Sequence, residues 1–452
     1  MARPRRAVPS PFTHDVGAWE GRGRADRNGV RGMAVPSAVQ RHRIRHHRRS
    51  VRQFFQVMGP GVVSGAADND PSGVITYIQV GATTGFSLLW LMLLSTPILY
   101  CLEEMSTRIG VVTKRGLTHA LCARHGRRLA AAIVLPVIAS NIVTIGADLV
   151  GTASGAQLLT GIPWDWWILP IAGSLAYLLV AASYCALSRV LLVLTPLFLL
   201  FVAAGIIVHP NWAQVLRGTF VPSVQFTPTF VAAALGLLGA TLTPYMFFWQ
   251  TTETVEAHET VSDLADANLD VAGGMVYANL VFYFIILASA AVLFGHGGID
   301  TVAGAAAALR PVAGPAATAL FAVGIVTSGV LSVPVMAACS AYALSEIFGW
   351  HEGLDRKVGQ ARGFYVLLGA SLVVGSAIGL LRVPPVALMF WSQVLNGIVL
   401  APLIAALTLL ANDSRVVRAH RSHPLANAVG WGTVAMTVAL AALTIGQLVA
   451  GS

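Results

Sequence analysis

Long apolar stretches separated by short polar segments run along the chain from residue 54 to its end. Each stretch contains at least 20 residues, and a transmembrane α-helix needs about 20 predominantly apolar residues. The short alternating segments that are typical of a membrane β-barrel are absent from this pattern. We therefore predict a polytopic helical membrane protein. Its eleven predicted transmembrane helices cover residues 54–83, 86–109, 129–159, 165–187, 189–208, 228–257, 268–295, 312–348, 362–381, 384–411 and 426–449.

Two of these stretches are interrupted by helix-breaking residues. The first contains Pro71 and Gly73, and the sixth contains Pro244 directly after Thr243. A proline removes a backbone donor and frees a carbonyl group of the preceding turn, so the helix tends to unwind there. Interrupted helices at matching positions of two repeats mark the midplane binding site of many secondary transporters. The pattern therefore favours a carrier.

The positions of the two breaks also predict an internal repeat. The interrupted helices are five places apart in the helix order, and because five is odd the two halves have opposite topology in the membrane. We expect a first five-helix repeat over residues 51–210, a second, inverted repeat over 226–411 and an additional helix within 412–452. Residues 1–50 are rich in Arg, Gly and Pro and are predicted to form a disordered cytoplasmic tail.

The distribution of charge predicts the orientation of the chain. Only 11% of the residues are charged, against about 25% in soluble domains. The formal net charge is +9, and 12 of the 29 Lys and Arg residues lie in the first 50 positions. Of the other 17, 14 fall on the side of the membrane that carries the N-terminus. Because cytoplasmic loops are enriched in Lys and Arg, we expect a multi-pass protein of the cell membrane with its N-terminus in the cytoplasm and its C-terminus outside.

Asp70 is the leading candidate for a binding residue. It lies in the first break, after Asp68 and Asn69 and before Pro71, at a depth where an ionised carboxylate costs about 2.5–3.5 kcal/mol. Such a charge marks an ion or substrate path, and a carboxylate beside unwound carbonyls suits a hard cation. Capping of the following half-helix is a second role, compatible with the first. Asp68 is either a second carboxylate on the path or a passive residue.

The second break offers neutral groups. Small residues that include Ala240 precede it, Thr243 adds a hydroxyl and Pro244 frees a carbonyl. Small residues also permit close helix contacts in a membrane, so an ordinary packing helix with a proline kink is the alternative.

Three more polar residues lie at membrane depth. Asp148 in the third predicted helix is either a proton or ion relay or a structurally satisfied carboxylate. Asn279 in the seventh and Gln393 in the tenth are expected to form interhelical hydrogen bonds, and a ligand role is the second possibility for Gln393.

Other functional classes lack their signatures. The sequence contains no GxxxxGK[ST] phosphate loop, no HExxH motif and no nucleophile elbow, so neither an ATP-driven pump nor an enzyme is supported. We expect no cofactor, a divalent metal ion as substrate, and the lipid bilayer but no nucleic acid as partner. The sequence leaves the oligomeric state open and is compatible with a monomer. A carrier of a small organic solute and a non-transporting membrane sensor remain the alternatives.

Several short motifs occur in order along these helices. They are GPG at 59–61, DPSG at 70–73, GADL at 146–149, LGAT before Pro244 and SQV at 392–394, together with Asn279 in the seventh helix. These motifs resemble those of the NRAMP family of divalent metal transporters, which has DPGN in place of DPSG, and the similarity covers most of the chain after residue 54. The resemblance implies a LeuT-like fold with two inverted five-helix repeats, and metal uptake by alternating access that is usually coupled to protons.

The resemblance also implies roles for individual positions. Asp70 matches the family's metal-binding Asp, Ala240 its carbonyl-donating Ala and Gln393 its tenth-helix Gln, while Asp148 matches an Asp of the proton route. The residues expected to shape the breaks or to support the ligands are Asn69, Pro71, Gly73, Pro244, Tyr245 and Asn279.

Five positions depart from the family pattern. The metal-binding Asn falls at Gly73 and the Met sulfur ligand at Thr243; the His after the proline falls at Tyr245, a later His at Gln250, and a third-helix Glu at Gly151. Without that thioether, oxygen ligands suit Mg²⁺ or Mn²⁺ and do not exclude Ca²⁺. The sequence therefore predicts a divergent, NRAMP-related importer of Mg²⁺ or Mn²⁺.

Overall fold

The computed structural model describes residues 69–181, 199–257, 259–295, 297–354 and 356–451. Within these ranges every regular element is a helix and no strand occurs, which agrees with the predicted all-α class. The basic tail, Asp68 and the first half of the first predicted transmembrane helix lie outside the described residues.

The described ranges contain fourteen helices of nine or more residues. Several single turns of helix between Val302 and Ala316 precede the eleventh of them. In chain order they are α1 (Pro71–Thr84), α2 (Leu89–Thr113), α3 (Leu117–His125), α4 (Arg127–Thr160), α5 (Trp164–Ala181), α6 (Leu199–Ile207), α7 (Trp212–Phe220), α8 (Pro228–Thr241), α9 (Pro244–Glu256), α10 (Leu264–Leu293), α11 (Ala317–Phe348), α12 (Arg362–Gly379), α13 (Pro385–Asn412) and α14 (Pro424–Ala450).

Prolines fix the start of the helices that surround the two breaks. α1 begins at Pro71 after Asp70, and α8 begins at Pro228 after Thr227; the side chains of Asp70 and Thr227 each accept a backbone N–H of the first turn. α9 begins at Pro244 without a side-chain cap. A proline suits the first helical position because its fixed φ is helical and the missing N–H has no partner there. The helix breakers in the sequence therefore become the first residues of α1 and α9.

The centre of the bundle is formed by α1 and α8. In each of these helices 12 of the 14 residues are buried, and both helices pack against α13. α1 also contacts α10 backbone to backbone, because a Cβ atom on Gly81 would lie 2.4 Å from the carbonyl oxygen of Ile286. At the periphery only 17% of the apolar window of α14 is buried, and its exposed side chains include Val438 and Ile445. An apolar outer face of this kind suits contact with lipid.

Seven helical segments in the described ranges are long and apolar enough to cross a membrane, and each coincides with a predicted transmembrane helix. In this count α8 and α9 form one segment, and the turns from Val302 onward form one segment with α11. α5 is apolar but shorter, and the predicted helix over 189–208 is described only from residue 199. The total of eleven therefore stays a prediction. α3 and α7 occupy segments that their hydropathy predicts to be polar connections between transmembrane helices. Asn211 caps α7 by accepting the N–H groups of Ala213 and Gln214.

Side chains of α11 form hydrogen bonds with the end of α9, with the loop that follows α11 and with the start of α3. The Tyr342 hydroxyl donates to the Glu256 carboxylate and accepts the backbone N–H of Leu354 at 3.0 Å. The Glu346 carboxylate accepts the backbone N–H of His119, in the first turn of α3, at 2.9 Å. The loop after α11 and the start of α3 are thereby held at the same end of the bundle.

Stability at this end is expected to depend on pH. Burial raises the pKa of Glu352 to about 8, the negative charges of Glu346 and Glu256 act in the same direction, and Arg356 lowers it. Since the ordinary pKa of this carboxyl is 4.5, the folded state loses stability as the pH rises from that value through about 8. We expect Glu352→Gln to leave the unfolding midpoint unchanged at pH 5 and to raise it by about 2 °C at pH 9. Thermal unfolding at the two pH values measures the shift, and Asp300→Asn, which removes an exposed carboxylate, is the control. Equal unfolding midpoints of Glu352→Gln and wild type at pH 9 would contradict the prediction.

Candidate functional site

Asp70 lies where the chain enters α1, and its side chain is fully buried. Its backbone is extended, with φ −74° and ψ 156°, and its Oδ1 accepts the N–H of Gly73. Its Oδ2 accepts a hydrogen bond of 3.1 Å from Gln393 Nε2. Asp70 thus caps α1, which is one of the two predicted roles, and it also faces the tenth predicted transmembrane helix.

A chain of hydrogen bonds holds the Gln393 side chain in place. Its Oε1 accepts from Asn396 Nδ2 at 2.8 Å, and Asn396 Oδ1 in turn accepts from Ser140 Oγ at 2.6 Å. Asn396 also donates to Thr144 Oγ1 at 3.2 Å. Gln393 and Asn396 are buried, so α4 and α13 together fix the amide that contacts Asp70.

The second break has the geometry that its sequence predicts. α8 ends at Thr241 and α9 begins at Pro244, so the two residues between them form the unwound step. In a continuous helix the carbonyl of Ala240 would accept the N–H of residue 244, which Pro244 lacks. Thr243 is buried and its side chain does not cap α9. The break therefore places the Ala240 carbonyl, which cannot receive an N–H from Pro244, and the Thr243 hydroxyl among buried residues.

Two contacts place the second break beside the first. A Cβ atom on Gly239 would lie 1.9 Å from the carbonyl oxygen of Gln393, so α8 touches the backbone of α13 at the residue that contacts Asp70. The hydroxyls of Tyr77 in α1 and Thr241 in α8 lie 3.1 Å apart. The end of α8 at the second break therefore contacts both α1 and the residue of α13 that is hydrogen-bonded to Asp70.

Asp148 is joined to the start of α1. Its Oδ1 accepts the backbone N–H of Ser72 at 3.0 Å as well as the Ser72 hydroxyl, and its Oδ2 accepts from Ser332 Oγ at 3.3 Å. The carbonyl of Asn69 accepts from the Ser328 hydroxyl. α4 and α11 thus hold the residues on either side of Asp70.

Other predicted site residues lie elsewhere. Asn279 donates to Thr96 Oγ1 at 3.0 Å and so links α10 to α2, which is the interhelical bond expected of it. Gln250 donates to Thr107 Oγ1 at 3.0 Å and links α9 to α2. Tyr245 is buried in an apolar cluster with residues of α4, α5, α11 and α12. Neither Asn279 nor Gln250 contacts Asp70 by a hydrogen bond in the described structure.

Sequence reasoning missed most of the polar groups that contact Asp148 and Gln393. Ser72, Ser332 and Asn396 contact Asp148 or Gln393 directly, yet singly they look like ordinary residues of membrane helices. A signal was present in α4, where four polar residues recur at every fourth position and therefore share one helix face. They are Ser140, Thr144, Asp148 and Thr152.

The chemistry of this site is that of one carboxylate and several neutral oxygens. No three His, Cys, Asp or Glu side chains form a metal-binding group among the described residues. The residues predicted as ligands would offer the Asp70 carboxylate, the Ala240 carbonyl, the Thr243 hydroxyl and, after rotation of its amide, the Gln393 side-chain oxygen, which are the kinds of ligand that Mg²⁺, Ca²⁺ and Mn²⁺ accept. All four residues are buried, so a cation bound here would be enclosed by protein in this conformation.

Comparison with known proteins identifies the family. A sequence profile described as natural resistance-associated macrophage protein-like (Nramp) matches residues 61–447. The chain is also 27% identical over 424 residues to the divalent metal cation transporter MntH of Deinococcus radiodurans, with 89% of this chain and 92% of that protein covered.

Solved structures share the fold. A manganese transporter of Eremococcus coleocola is 22% identical, with a TM-score of 0.69 and 90% of each chain covered. MhsT, solved with L-phenylalanine, has a TM-score of 0.58 at 14% identity, with 88% of this chain and all of that chain covered. Mhp1, of the nucleobase-cation-symport-1 family, has a TM-score of 0.53 at 14% identity, with 85% of this chain and 90% of that chain covered. The fold is therefore LeuT-like, and because the Nramp profile covers most of the sequence, this chain belongs to the NRAMP family of divalent metal transporters, whose members are not enzymes.

Proposed function

We propose that this protein is a secondary transporter that imports a divalent metal cation, Mn²⁺ or Mg²⁺, by alternating access. The observation that carries the proposal is the fully buried Asp70 carboxylate at the first break, hydrogen-bonded to Gln393, whose backbone contacts the helix that ends at the second break. A carboxylate at membrane depth is costly, and such residues mark ion paths. A divalent cation compensates this charge more strongly than a neutral solute does, because the Coulomb energy scales with the ligand charge.

The proposed ligands come from both breaks and from α13. They are Asp70, the carbonyl of Ala240, the hydroxyl of Thr243 and the side-chain oxygen of Gln393, with Asp68 as a further carboxylate. In the present arrangement Gln393 directs its Nε2 toward Asp70. An amide carries its donor and its acceptor on opposite sides, so cation binding requires this side chain to rotate and present Oε1.

Proton coupling through Asp148 is part of the proposal. Asp148 and Asp70 accept hydrogen bonds from successive backbone N–H groups in the first turn of α1. Ser72 donates to Asp148 and Gly73 donates to Asp70. A cation that displaces this turn would therefore weaken the bonds that Asp148 accepts and change its affinity for a proton. The Eremococcus relative is named a manganese transporter, which favours Mn²⁺ as the cation.

The proposed orientation places the N-terminus in the cytoplasm and the C-terminus outside, as the distribution of Lys and Arg predicts. The repeats at 51–210 and 226–411 would then rearrange against each other, with 412–452 as an additional lipid-facing helix. The ligand set is complete within a single chain, so a monomer suffices for this mechanism.

Uptake into proteoliposomes that contain the purified full chain tests the proposal. We expect saturable uptake of Mn²⁺ or Mg²⁺ above that of protein-free vesicles, with stimulation by an inward proton gradient. Radiolabelled phenylalanine and uracil are expected neither to enter nor to compete. Entry of an organic solute without cation uptake would replace the proposal with an organic-solute carrier, and cation binding without uptake would replace it with a sensor.

A further inference from the structure

The thioether of Met389 on α13 lies beside the first break, whereas the family's sulfur ligand belongs to the second break, at the position of Thr243. Met389 is fully buried on α13, four residues before Gln393 and therefore on the same face of that helix. A Cβ atom on Gly151 would lie 2.8 Å from Met389 Sδ and 2.7 Å from Cβ of Pro71. The sulfur and the first residue of α1 therefore flank the same point on α4.

The position of this sulfur relates it to Asp70. Pro71 directly follows Asp70, and Gln393, one turn along α13 from Met389, donates to the Asp70 carboxylate. α13 thus presents an amide and a thioether in succession along the first break. Met has three rotatable side-chain bonds and a polarisable sulfur, so a ligand role would require a change in its side-chain torsions and no movement of α13.

Gly151 makes this arrangement possible. Any larger residue at position 151 would place its Cβ against both the sulfur and the Pro71 ring, at distances shorter than van der Waals contact. Either Met389 or the start of α1 would then have to move. Because Gly151 has no side chain, the Met389 thioether and Pro71 can both pack against α4 at this position.

We propose that Met389 supplies a soft ligand to the cation held by Asp70, and that this residue favours Mn²⁺ and Cd²⁺ over Mg²⁺ and Ca²⁺. The inference rests on the proposed function, since it requires a cation at Asp70. Thr243 offers oxygen at the second break, whereas a thioether is the donor that discriminates softer metals from hard ones. The proposal thus assigns metal preference to α13 and charge compensation to α1.

Cadmium is a suitable probe because its binding to sulfur has a distinct signature in X-ray absorption. The experiment uses the full chain in nanodiscs as wild type, Met389→Leu and Met105→Leu, with the four cysteines replaced by Ala in every sample so that no thiol supplies sulfur. Met105 is a fully buried methionine on α2. We expect a cadmium–sulfur shell in wild type and in Met105→Leu that disappears in Met389→Leu. Calorimetric titration should show the Cd²⁺ dissociation constant of Met389→Leu raised about tenfold, with that for Ca²⁺ changed less than about twofold.

Each outcome separates this inference from the proposed function. Loss of all cation binding in Asp70→Asn together with oxygen-only coordination of Cd²⁺ in wild type would overturn the role of Met389 and leave the metal site intact. A sulfur shell that persists in Met389→Leu would also overturn it. If wild type binds neither Cd²⁺ nor Ca²⁺, the proposed function fails and the inference fails with it. Equal unfolding midpoints of the two Leu variants would show that an altered core does not explain the loss.

Discussion

Asp70→Asn is expected to abolish cation uptake and to weaken Mn²⁺ binding by at least about 100-fold, or about 2.7 kcal/mol. The substitution conserves the size of the side chain, and Asn also caps helix N-termini well, so α1 can still begin at Pro71. What is lost is the negative charge that compensates a divalent cation in a medium of low dielectric constant. The unfolding midpoint should stay level or rise, because a fully buried ionised carboxylate is itself costly.

Calorimetry and proteoliposome uptake on the same preparations measure this effect. Asp165→Asn is the matched control, since it removes a carboxylate that lies 3.7 Å from Arg382 near the start of α5. That variant is expected to bind and transport as wild type does. Full transport by Asp70→Asn would show that the charge is not a ligand and that its role ends with capping α1.

The breaks were predictable from sequence because their cause is local. A proline has no N–H and fixes φ, so Pro71 and Pro244 favour a break or a helix start. Proline alone does not dictate a break, because α2, α4, α5, α11 and α13 each contain an interior proline. The structure begins α1 and α9 at Pro71 and Pro244. Asp70 was recognisable for a similar reason, since a carboxylate within a long apolar stretch is unusual in itself.

The partners of these residues were harder to predict because they come from distant parts of the chain. Gln393 lies 323 positions from Asp70, and Ser332 lies 184 positions from Asp148. Which residues meet depends on how the helices pack, and neither the polarity nor the spacing of a single helix specifies that. Thr96, which binds Asn279, is a similar case, since the expected bond formed but its partner was not identified.

The thioether of Met389 illustrates a second limit. In the sequence, Thr243 stands where the family has a Met and Gly151 stands where it has a Glu. These two differences predict a site with oxygen ligands only. In three dimensions Met389 of α13 occupies the space beside Gly151 of α4. A ligand supplied from a different helix leaves no motif at the expected position.

Gly239→Ala is expected to lower both stability and transport strongly. The added Cβ would lie 1.9 Å from the carbonyl oxygen of Gln393 and 2.5 Å from the backbone nitrogen of Gly397. Both neighbours are backbone atoms of α13, so α8 and α13 have to separate along their contact. Overpacking of this kind costs about 1–3 kcal/mol. Because Gln393 contacts Asp70, we also expect at least about tenfold weaker Mn²⁺ binding, which corresponds to about 1.4 kcal/mol.

The control for this variant is Gly369→Ala in α12, where an added Cβ would meet no atom within 4 Å. Alanine is the better helix former, so this control should be as stable as wild type or slightly more stable. Thermal unfolding and Mn²⁺ titration of the two variants then separate helix propensity from the contact between α8 and α13. If Gly239→Ala were as stable as Gly369→Ala but bound Mn²⁺ weakly, the contact would serve the site alone. If it bound Mn²⁺ normally and were only less stable, the position of Gln393 would not limit affinity, and the amide would be a structural partner of Asp70 instead of a ligand.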